Sequence, residues 1–383
     1  MKRKSFRGKT IKTISNNYIY LSIIFVLVLL SFLAADNFEY WKNQYSGMDQ
    51  TYYREMSEAS PNISMVIPHF FAYRIFPPWL AGILPGDVST GYKILNFIFL
   101  LGISYSFYFL LREIALKEIT SILMTLAFIF NRYFFQIHTW NYFQLTDLVS
   151  NTIIFLSIIS IKKKRFLATG ILFFLGMMSK ETVLVIIPVG FAFLFQTIQG
   201  RKTLLHFAIS LIPGLILFAA LRIFIPAAGE EKLAVQVMDE SYKYLSLFVW
   251  AKVLVVPFIP FSITPLIFYK EFMNFIRQHF YLFVLFSLVV FTAILGYDFE
   301  RLLAPASPFL FAFVGIIIEK YQLVKTKRWQ LTIIFLMVIL NSFYHIAGIV
   351  RLPNSTLSLI VSTCSLLIST ALFINIRVKS NLD

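Results

Sequence analysis

The sequence predicts an all-α integral membrane protein in which residues 1–383 form a single transmembrane domain. Two observations lead to this prediction. Hydrophobic residues make up 58% of the chain and charged residues only 14%, whereas soluble domains carry about 25% charged residues. The apolar residues also occur in runs that approach or reach the roughly 20 residues needed to cross a bilayer as helix. A water-soluble domain is therefore not expected.

These runs predict about twelve membrane-spanning helices. The predicted spans are 19–35, 93–111, 119–136, 144–161, 166–178, 182–197, 204–225, 244–267, 279–296, 302–318, 331–349 and 356–376. An even number of crossings places both termini on the same side of the membrane.

The basic residues set the predicted orientation. The formal net charge is +15, but Lys and Arg lie in short clusters between the apolar runs, so we interpret them as topology signals and expect no nucleic-acid partner. One side of the predicted fold holds 22 of the 34 basic residues. The positive-inside rule makes that side cytoplasmic, with both termini there, in a multi-pass protein of the inner (plasma) membrane. By contrast, 14 of the 19 acidic residues fall on the outer side or just inside its helix ends.

The first helix resembles a signal peptide, because six basic residues precede the apolar run 19–35. Its apolar run exceeds the usual ~7–15 residues, and Leu33-Ala34-Ala35 does not form the usual small-residue cleavage site. We therefore predict an uncleaved first helix. The single cysteine, Cys364, excludes an intrachain disulfide.

The segment 166–197 tests the helix count. It is too long for one crossing and too short for two full ones, and Lys180 and Glu181 lie in its middle. A single crossing would place the basic cluster 162–165 and the pair Arg201-Lys202 on opposite sides. Positive-inside counting favours a short hairpin with its tip at 179–181.

The longest hydrophilic stretch, 36–92, forms the predicted outer loop between the first two spans. A loop of this length is usually functional. We expect it to be partly helical, because Asp49, Tyr52, Tyr53 and Met56 have the spacing of one helix face.

Charged residues at membrane depth are costly and usually functional. Six outer-side positions have this character although 265 positions separate the first from the last, and they predict one composite site. A site that mixes carboxylates with cations suits transfer from a phosphate leaving group: a carboxylate deprotonates the acceptor, and Arg or Lys stabilises the departing charge. The six positions are Asp36, Asp49, Arg74, Asp147, Lys180 with Glu181, and Arg301.

The order of these features resembles the GT-C superfamily of membrane glycosyltransferases, in particular members of the mannosyltransferase and aminoarabinose transferase type. These enzymes use polyprenyl-phosphate-linked sugars at the outer face of the membrane. The run Asp49-Gln-Thr-Tyr52-Tyr53 is similar to the family's first-loop aspartate and tyrosine-containing helix. The resemblance implies that Asp49 is the catalytic base, with Asp36 in reserve. Alternatively, Asp49 only caps its helix and Asp36 only ends the first span.

Binding roles follow from the same resemblance. Arg74, in a segment rich in prolines and aromatic residues, would bind the donor phosphate, unless it is only an interfacial anchor. Arg301 would be a second phosphate contact. Lys180, Glu181 and Asp147 would face the substrate cavity, although a purely structural Lys180–Glu181 ion pair is the alternative. Tyr52, Tyr53 and His69 complete the expected substrate-binding residues.

The resemblance implies a polyprenyl-phosphate sugar donor and a glycan, lipid or protein acceptor, with the sugar and the acceptor left open. We assign no metal ligands because no Asp-x-Asp triplet is present, although a divalent metal remains a possible cofactor. Two alternatives stay open: a flippase or transporter of a lipid-linked saccharide, and a polysaccharide polymerase or ligase. A flippase would place charges nearer the midplane, and polymerases or ligases usually have a large late outer loop.

Overall fold

A computed structural model of the protein describes residues 4–35, 49–62, 67, 69–225, 239–296, 299–346 and 356–380. All regular secondary structure in these ranges is helical, which confirms the predicted all-α class. The described part of the 36–92 loop is also partly helical, as predicted.

The α-helices are numbered in chain order. The first ten are α1 (Lys4–Ala34), α2 (Asp49–Glu58), α3 (His69–Ala72), α4 (Phe76–Ile83), α5 (Val88–Glu113), α6 (Glu118–Ile129), α7 (Ile137–Trp140), α8 (Leu145–Lys162), α9 (Phe166–Met177) and α10 (Ile186–Gln196). The others are α11 (Arg201–Phe224), α12 (Leu247–Val255), α13 (Thr264–Ile267), α14 (Tyr269–Gln278), α15 (Phe280–Ile294), α16 (Phe299–Leu302), α17 (Ser307–Lys320), α18 (Leu323–Thr326), α19 (Arg328–Ile346) and α20 (Thr356–Ser380). Short 3₁₀ turns cover Glu181–Val185, Ser241–Leu245, Val256–Phe258 and Ala304–Ala306, and a π-helical turn covers Arg132–Gln136.

Five stretches of the described chain are long and apolar enough to cross a membrane. They are Val88–Glu113, Leu145–Lys162, Arg201–Phe224, Phe299–Lys320 and Leu359–Lys379. A sixth candidate is the pair α14 and α15, which bends by 101° at their junction. The protein thus has the helices of a multi-pass membrane protein, while the number of twelve crossings stays a prediction.

The predicted span 244–267 is wrong as a single helix. The chain there forms a 3₁₀ turn, α12, a second 3₁₀ turn and α13 instead. Pro257, Pro260 and Pro265 lie in this stretch, and a proline inside a helix removes a hydrogen-bond donor and clashes with the preceding turn. The predicted span 119–136 is also interrupted, because its α-helix ends at Ile129 and a π-helical turn follows.

Residues 166–197 fold as a hairpin, as predicted. Helix α9 leads to a turn at 178–180, and the 3₁₀ turn and α10 lead back. Lys162, just before the hairpin, lies 5.2 Å from the ring centroid of Phe193 near its end. Phe166 and Phe191 both pack against Phe207 of α11, with ring centroids 6.0 and 5.2 Å apart. The two ends of the hairpin therefore lie at the same level of the bundle.

Helix α8 and the span 299–320 form the centre of the bundle. Of their apolar stretches, 78% and 83% are buried inside the protein, whereas the share is 22% for α11 and 22% for the span in α20. At the start of these two helices the side chains of Asp147 and Arg301 are nearly enclosed by protein, and the candidate site begins there.

The hairpin generates a topology prediction. In a Cys364→Ser background, cysteines replacing Lys164 and Lys202 should both react with a membrane-impermeant maleimide only in inverted vesicles, and a cysteine replacing Pro85 only in intact spheroplasts. All three positions are exposed, so the reagent can reach them once it is on the correct side. Labelling of the Lys164 and Lys202 positions from opposite sides would contradict a hairpin that crosses and returns.

Candidate functional site

Five charged side chains from distant parts of the chain meet in one place, which we call the charge network. Its members are Arg74, Asp147, Lys180, Glu181 and Arg301, joined by the hydroxyl of Tyr53. The five charged residues belong to the set that the sequence predicts to converge, and the structure brings them together with Tyr53, another predicted site residue. Their roles in binding or catalysis stay predictions.

Asp147 is the centre of the network. It lies in the first turn of α8, and its side chain is only 6% exposed. One carboxylate oxygen accepts a hydrogen bond from Nζ of Lys180, and Oδ2 of the same carboxylate lies 3.2 Å from Nη1 of Arg301. One carboxylate thus holds two cations whose side chains are 7% and 10% exposed.

Arg74 forms the second half of the network. Its Nη2 donates to Oε1 of Glu181 at 2.5 Å, and its Nε donates to Oε2 at 3.3 Å, so the pair is bidentate. Nη1 donates to the Tyr53 hydroxyl at 3.0 Å. The Thr146 hydroxyl lies 3.3 Å from the same Tyr53 oxygen, which links this half to the residue before Asp147.

Lys180 and Glu181 do not pair with each other, contrary to one interpretation of the sequence. Lys180 pairs with Asp147 and Glu181 pairs with Arg74, so a structural Lys180–Glu181 ion pair is wrong. Burial by itself would raise the pKa of the Glu181 carboxyl, but the adjacent Arg74 guanidinium holds that pKa below its ordinary value. Burial would lower the pKa of Arg74, but Glu181 and Tyr53 raise it well above its ordinary value.

Tyr53 is fixed by hydrogen bonds that anchor α2 to its neighbours. The Tyr92 hydroxyl on α5 donates to the Tyr53 carbonyl at 3.0 Å. The Ser57 hydroxyl lies 2.9 Å from the Tyr53 carbonyl and 2.8 Å from the Pro78 carbonyl at the start of α4. A Cβ at Gly82 would lie 2.1 Å from the Ser57 carbonyl oxygen, so only glycine allows α2 and α4 to approach this closely.

Arg74 is positioned by the hairpin tip. The Phe76 amide donates to the Met178 carbonyl at 3.0 Å, which ties the start of α4 to the turn that presents Lys180. Phe71 packs beside Tyr52 and Tyr53, with ring centroids 5.0 and 5.6 Å apart, and the Arg74 guanidinium lies 5.7 Å from its centroid. Tyr52 therefore supports the site and Tyr53 belongs to it.

Three predicted residues are described only in part or not at all. Asp49 is the first residue of α2, and His69 is the first residue of α3, but their side chains lie outside the described part of the structure. Asp36 lies outside the described residues altogether. The shared face predicted for α2 is supported by Tyr53 and Met56, which are both buried.

Two residues near the network were not predicted. Arg222 of α11 lies 4.7 Å from the ring centroid of Tyr73, and an arginine at the end of a membrane helix is usually only an anchor. His138 is fully buried, and no hydrogen-bond partner of its two nitrogens is found in the described structure. Burial lowers the pKa of His138 to about 4, so its imidazole is neutral at pH 7. The sequence did not indicate a role for His138, because a single histidine between two apolar runs does not form a recognisable motif.

The described residues contain no group of three or more His, Cys, Asp or Glu side chains that would hold a metal ion. The chain matches no family model, and a search of curated proteins finds no match. The resemblance to the GT-C superfamily therefore rests on the sequence motifs alone.

The shared carboxylate generates a stability prediction. Asp147→Asn removes the carboxylate that pairs with the buried Lys180 and Arg301 side chains. Breaking a buried pair from one side costs about 3–5 kcal/mol. We expect a large drop in the denaturation midpoint of the detergent-purified protein. Adding Lys180→Gln should recover part of the loss because it removes one of the two cations.

Asp87→Asn is the control for this prediction. Asp87 is exposed and accepts a hydrogen bond from the Thr90 amide at the start of α5 at 3.1 Å, and asparagine caps a helix equally well. Its midpoint should hardly change. Equal midpoints for Asp147→Asn and Asp87→Asn would show that the Asp147 ion pairs do not hold the helices together.

Proposed function

We propose that the protein is a membrane glycosyltransferase that moves a sugar from a polyprenyl-phosphate-linked donor to a glycan, lipid or protein acceptor at the outer face of the membrane. The observation that carries the proposal is the charge network. Among the described residues, it brings the guanidinium groups of Arg74 and Arg301 and the ammonium group of Lys180 together with two carboxylates, and all three cations are largely buried. A cluster of buried cations can stabilise an anionic ligand such as a phosphodiester.

An apolar cavity beside the network supports a lipid-linked donor. It has a volume of about 360 Å³ and is lined mainly by Met56, Ile75, Phe76, Trp79 and Met178. Ile75 directly follows Arg74, and Met178 is two residues before Lys180. A donor whose phosphate contacts Arg74 or Lys180 would thus find apolar surface next to it for the first isoprene units of its chain.

The reaction needs a base and a stabilised leaving group. The acceptor hydroxyl loses its proton to a carboxylate as its oxygen bonds to the anomeric carbon. The bond from that carbon to the phosphate oxygen breaks, and its electron pair stays on the phosphate, which changes from a diester to a monoester with one more negative charge. Arg74, Lys180 and Arg301 would stabilise the charge that develops on this oxygen.

The base is best sought outside the network. Both oxygens of Glu181 face Arg74, and both oxygens of Asp147 face a cation, so neither carboxylate is poised to accept a proton. Asp49 is the better candidate, with Asp36 in reserve. Asp49 lies four residues before Tyr53 on the same helix, which separates their backbones by about 6 Å along the helix axis.

The position of the network also favours transfer over transport. Asp147 lies in the first turn of α8 and Arg301 lies near the start of the span 299–320, so the charges meet at one end of the two central helices. Transporters that alternate access typically bind their substrate near the midplane. We therefore favour a glycosyltransferase over a flippase as the function of this site.

The phosphate role is tested by removing charges in neutral pairs. Arg74→Gln alone leaves Glu181 unpaired and should lower both stability and transfer. In Arg74→Gln with Glu181→Gln the charges balance again, so the protein should regain most of its stability. Transfer from a radiolabelled polyprenyl-phosphate sugar should stay reduced by about 10²–10³-fold, the usual effect of losing one group that stabilises developing charge.

Arg54 and Glu58 provide the matched control. They form a 2.7 Å ion pair on the exposed side of α2, the helix that carries Tyr53. Arg54→Gln with Glu58→Gln should leave both stability and transfer nearly unchanged. Full transfer activity in the double variant of Arg74 and Glu181 would reduce that pair to a structural ion pair and remove Arg74 from the donor site.

The base is tested by Asp49→Asn, which preserves the shape and the helix-start hydrogen bonding but cannot accept the proton. A positioned base contributes about 10²–10⁴-fold, so turnover should fall by that factor while donor binding persists. The measurement is single-turnover loss of radiolabelled donor. If Asp49 only caps α2, activity should be nearly complete, because asparagine is an equally good cap.

Asp36→Asn distinguishes the two candidate bases. Full activity in Asp49→Asn with lost activity in Asp36→Asn would assign the base to Asp36. Full activity in both variants would contradict the proposed mechanism.

A further inference from the structure

A charged cavity lies at the opposite end of the central helices from the charge network. It has a volume of about 730 Å³ and is enclosed by the end of α5, the start of α6, the end of α17, and α18 and α19. Arg301 and Glu319 mark the two ends of the span 299–320, which places them roughly 27 Å apart at 1.5 Å per residue. The cavity is therefore separate from the site already described, at the predicted cytoplasmic boundary.

The cavity carries more positive than negative charge. Four cations line it, Arg112, Lys117, Lys325 and Arg328, against two acids, Glu118 and Glu319. Its lining thus bears a net charge of +2. A cavity of this sign attracts anions.

Both acids are already engaged by their neighbours. Glu319 accepts a hydrogen bond from the backbone amide of Lys117 at 2.5 Å, which fixes the start of α6 against the end of α17. Glu118 lies 3.7 Å from Nη2 of Arg112, whose Nη1 donates to the Leu116 carbonyl at 2.5 Å. Among the described residues, no carboxylate lies within ion-pair distance of the side chains of Lys117, Lys325 or Arg328.

Apolar side chains complete the cavity at the level where the spans end. Ile119 is exposed and Val324 is half-buried, and both line the cavity. Charged groups beside apolar surface at a helix end match the chemistry of a phospholipid, whose phosphate lies at the boundary and whose acyl chains enter the hydrocarbon. Basic pockets between membrane helices bind anionic lipid headgroups in this way.

We propose that this cavity binds the phosphate headgroup of an anionic phospholipid. Lys117, Lys325 and Arg328 contact the phosphate, and Ile119 and Val324 contact the upper part of the acyl chains. A zwitterionic headgroup binds less well because its ammonium group meets a cavity that is already positive. The assignment does not depend on glycosyl transfer.

The test uses the full-length protein in nanodiscs of phosphatidylcholine that contain a minor fraction of phosphatidylglycerol. Native mass spectrometry counts each lipid that stays bound after release. Wild-type protein should retain phosphatidylglycerol in preference to phosphatidylcholine. Each cation near an anionic lipid contributes about a fivefold preference, so Lys325→Gln with Arg328→Gln should reduce the preference about 25-fold.

The matched control is Arg201→Gln with Lys202→Gln. These two cations are exposed at the predicted cytoplasmic boundary but do not line the cavity, so their removal should leave retention nearly unchanged. An equal loss in both double variants would overturn the proposal, because lipid would then respond only to general surface charge. Lys325→Gln alone, with an expected fivefold loss, replaces the double variant if the latter does not fold.

Inorganic phosphate distinguishes the lipid from a soluble ligand. Added to wild-type protein in pure phosphatidylcholine nanodiscs, phosphate should not change the denaturation midpoint, whereas phosphatidylglycerol should raise it. A midpoint that rises with phosphate and not with phosphatidylglycerol would overturn the lipid assignment.

Discussion

The carboxylate of Asp147 is the interaction on which the arrangement of the central helices depends. It joins α8, the hairpin tip and the start of the span 299–320 by holding Lys180 and Arg301 at once. Each of these charges is nearly enclosed, and an unpaired charge there would cost several kcal/mol. Pairing of these buried charges therefore requires the three segments to meet at Asp147.

Hydrogen bonds to the backbone make this arrangement specific. Charge attraction has little directional preference, but the Tyr53 carbonyl accepts from the Tyr92 hydroxyl and the Met178 carbonyl accepts from the Phe76 amide. These bonds fix α2 and the start of α4 against α5 and the hairpin, and the side chains of Tyr53 and Arg74 follow. The positions of Tyr53 and Arg74 therefore depend on backbone hydrogen bonds as well as on the ion pairs.

Charged residues are arranged differently at the two ends of the bundle. At the end that holds the charge network, each described cation is paired with a carboxylate, and Asp147, Lys180 and Arg301 are nearly enclosed. At the opposite end, Lys117, Lys325 and Arg328 are exposed, and nearby acids are bonded to other groups. This difference follows the asymmetry in the sequence, in which most basic residues fall on one side of the predicted membrane and most acidic residues on the other.

The sequence by itself determined the helical membrane class, the hairpin at 166–197 and the set of residues that form the charge network. It did so because long apolar runs have no stable alternative in lipid, and because an ionisable residue at membrane depth needs a partner. It failed at 244–267, where the composition is that of a span but three prolines break the helix.

Only the tertiary structure decided which charges pair. Lys180 and Glu181 are neighbours in sequence, yet they point to Asp147 and Arg74, because successive residues of a turn face different directions. The surroundings of His138 and Arg222 also became visible only in the tertiary structure, because they consist of residues far away along the chain. Pairing depends on three-dimensional distances between side chains, and a linear pattern of apolar and charged residues does not contain those distances.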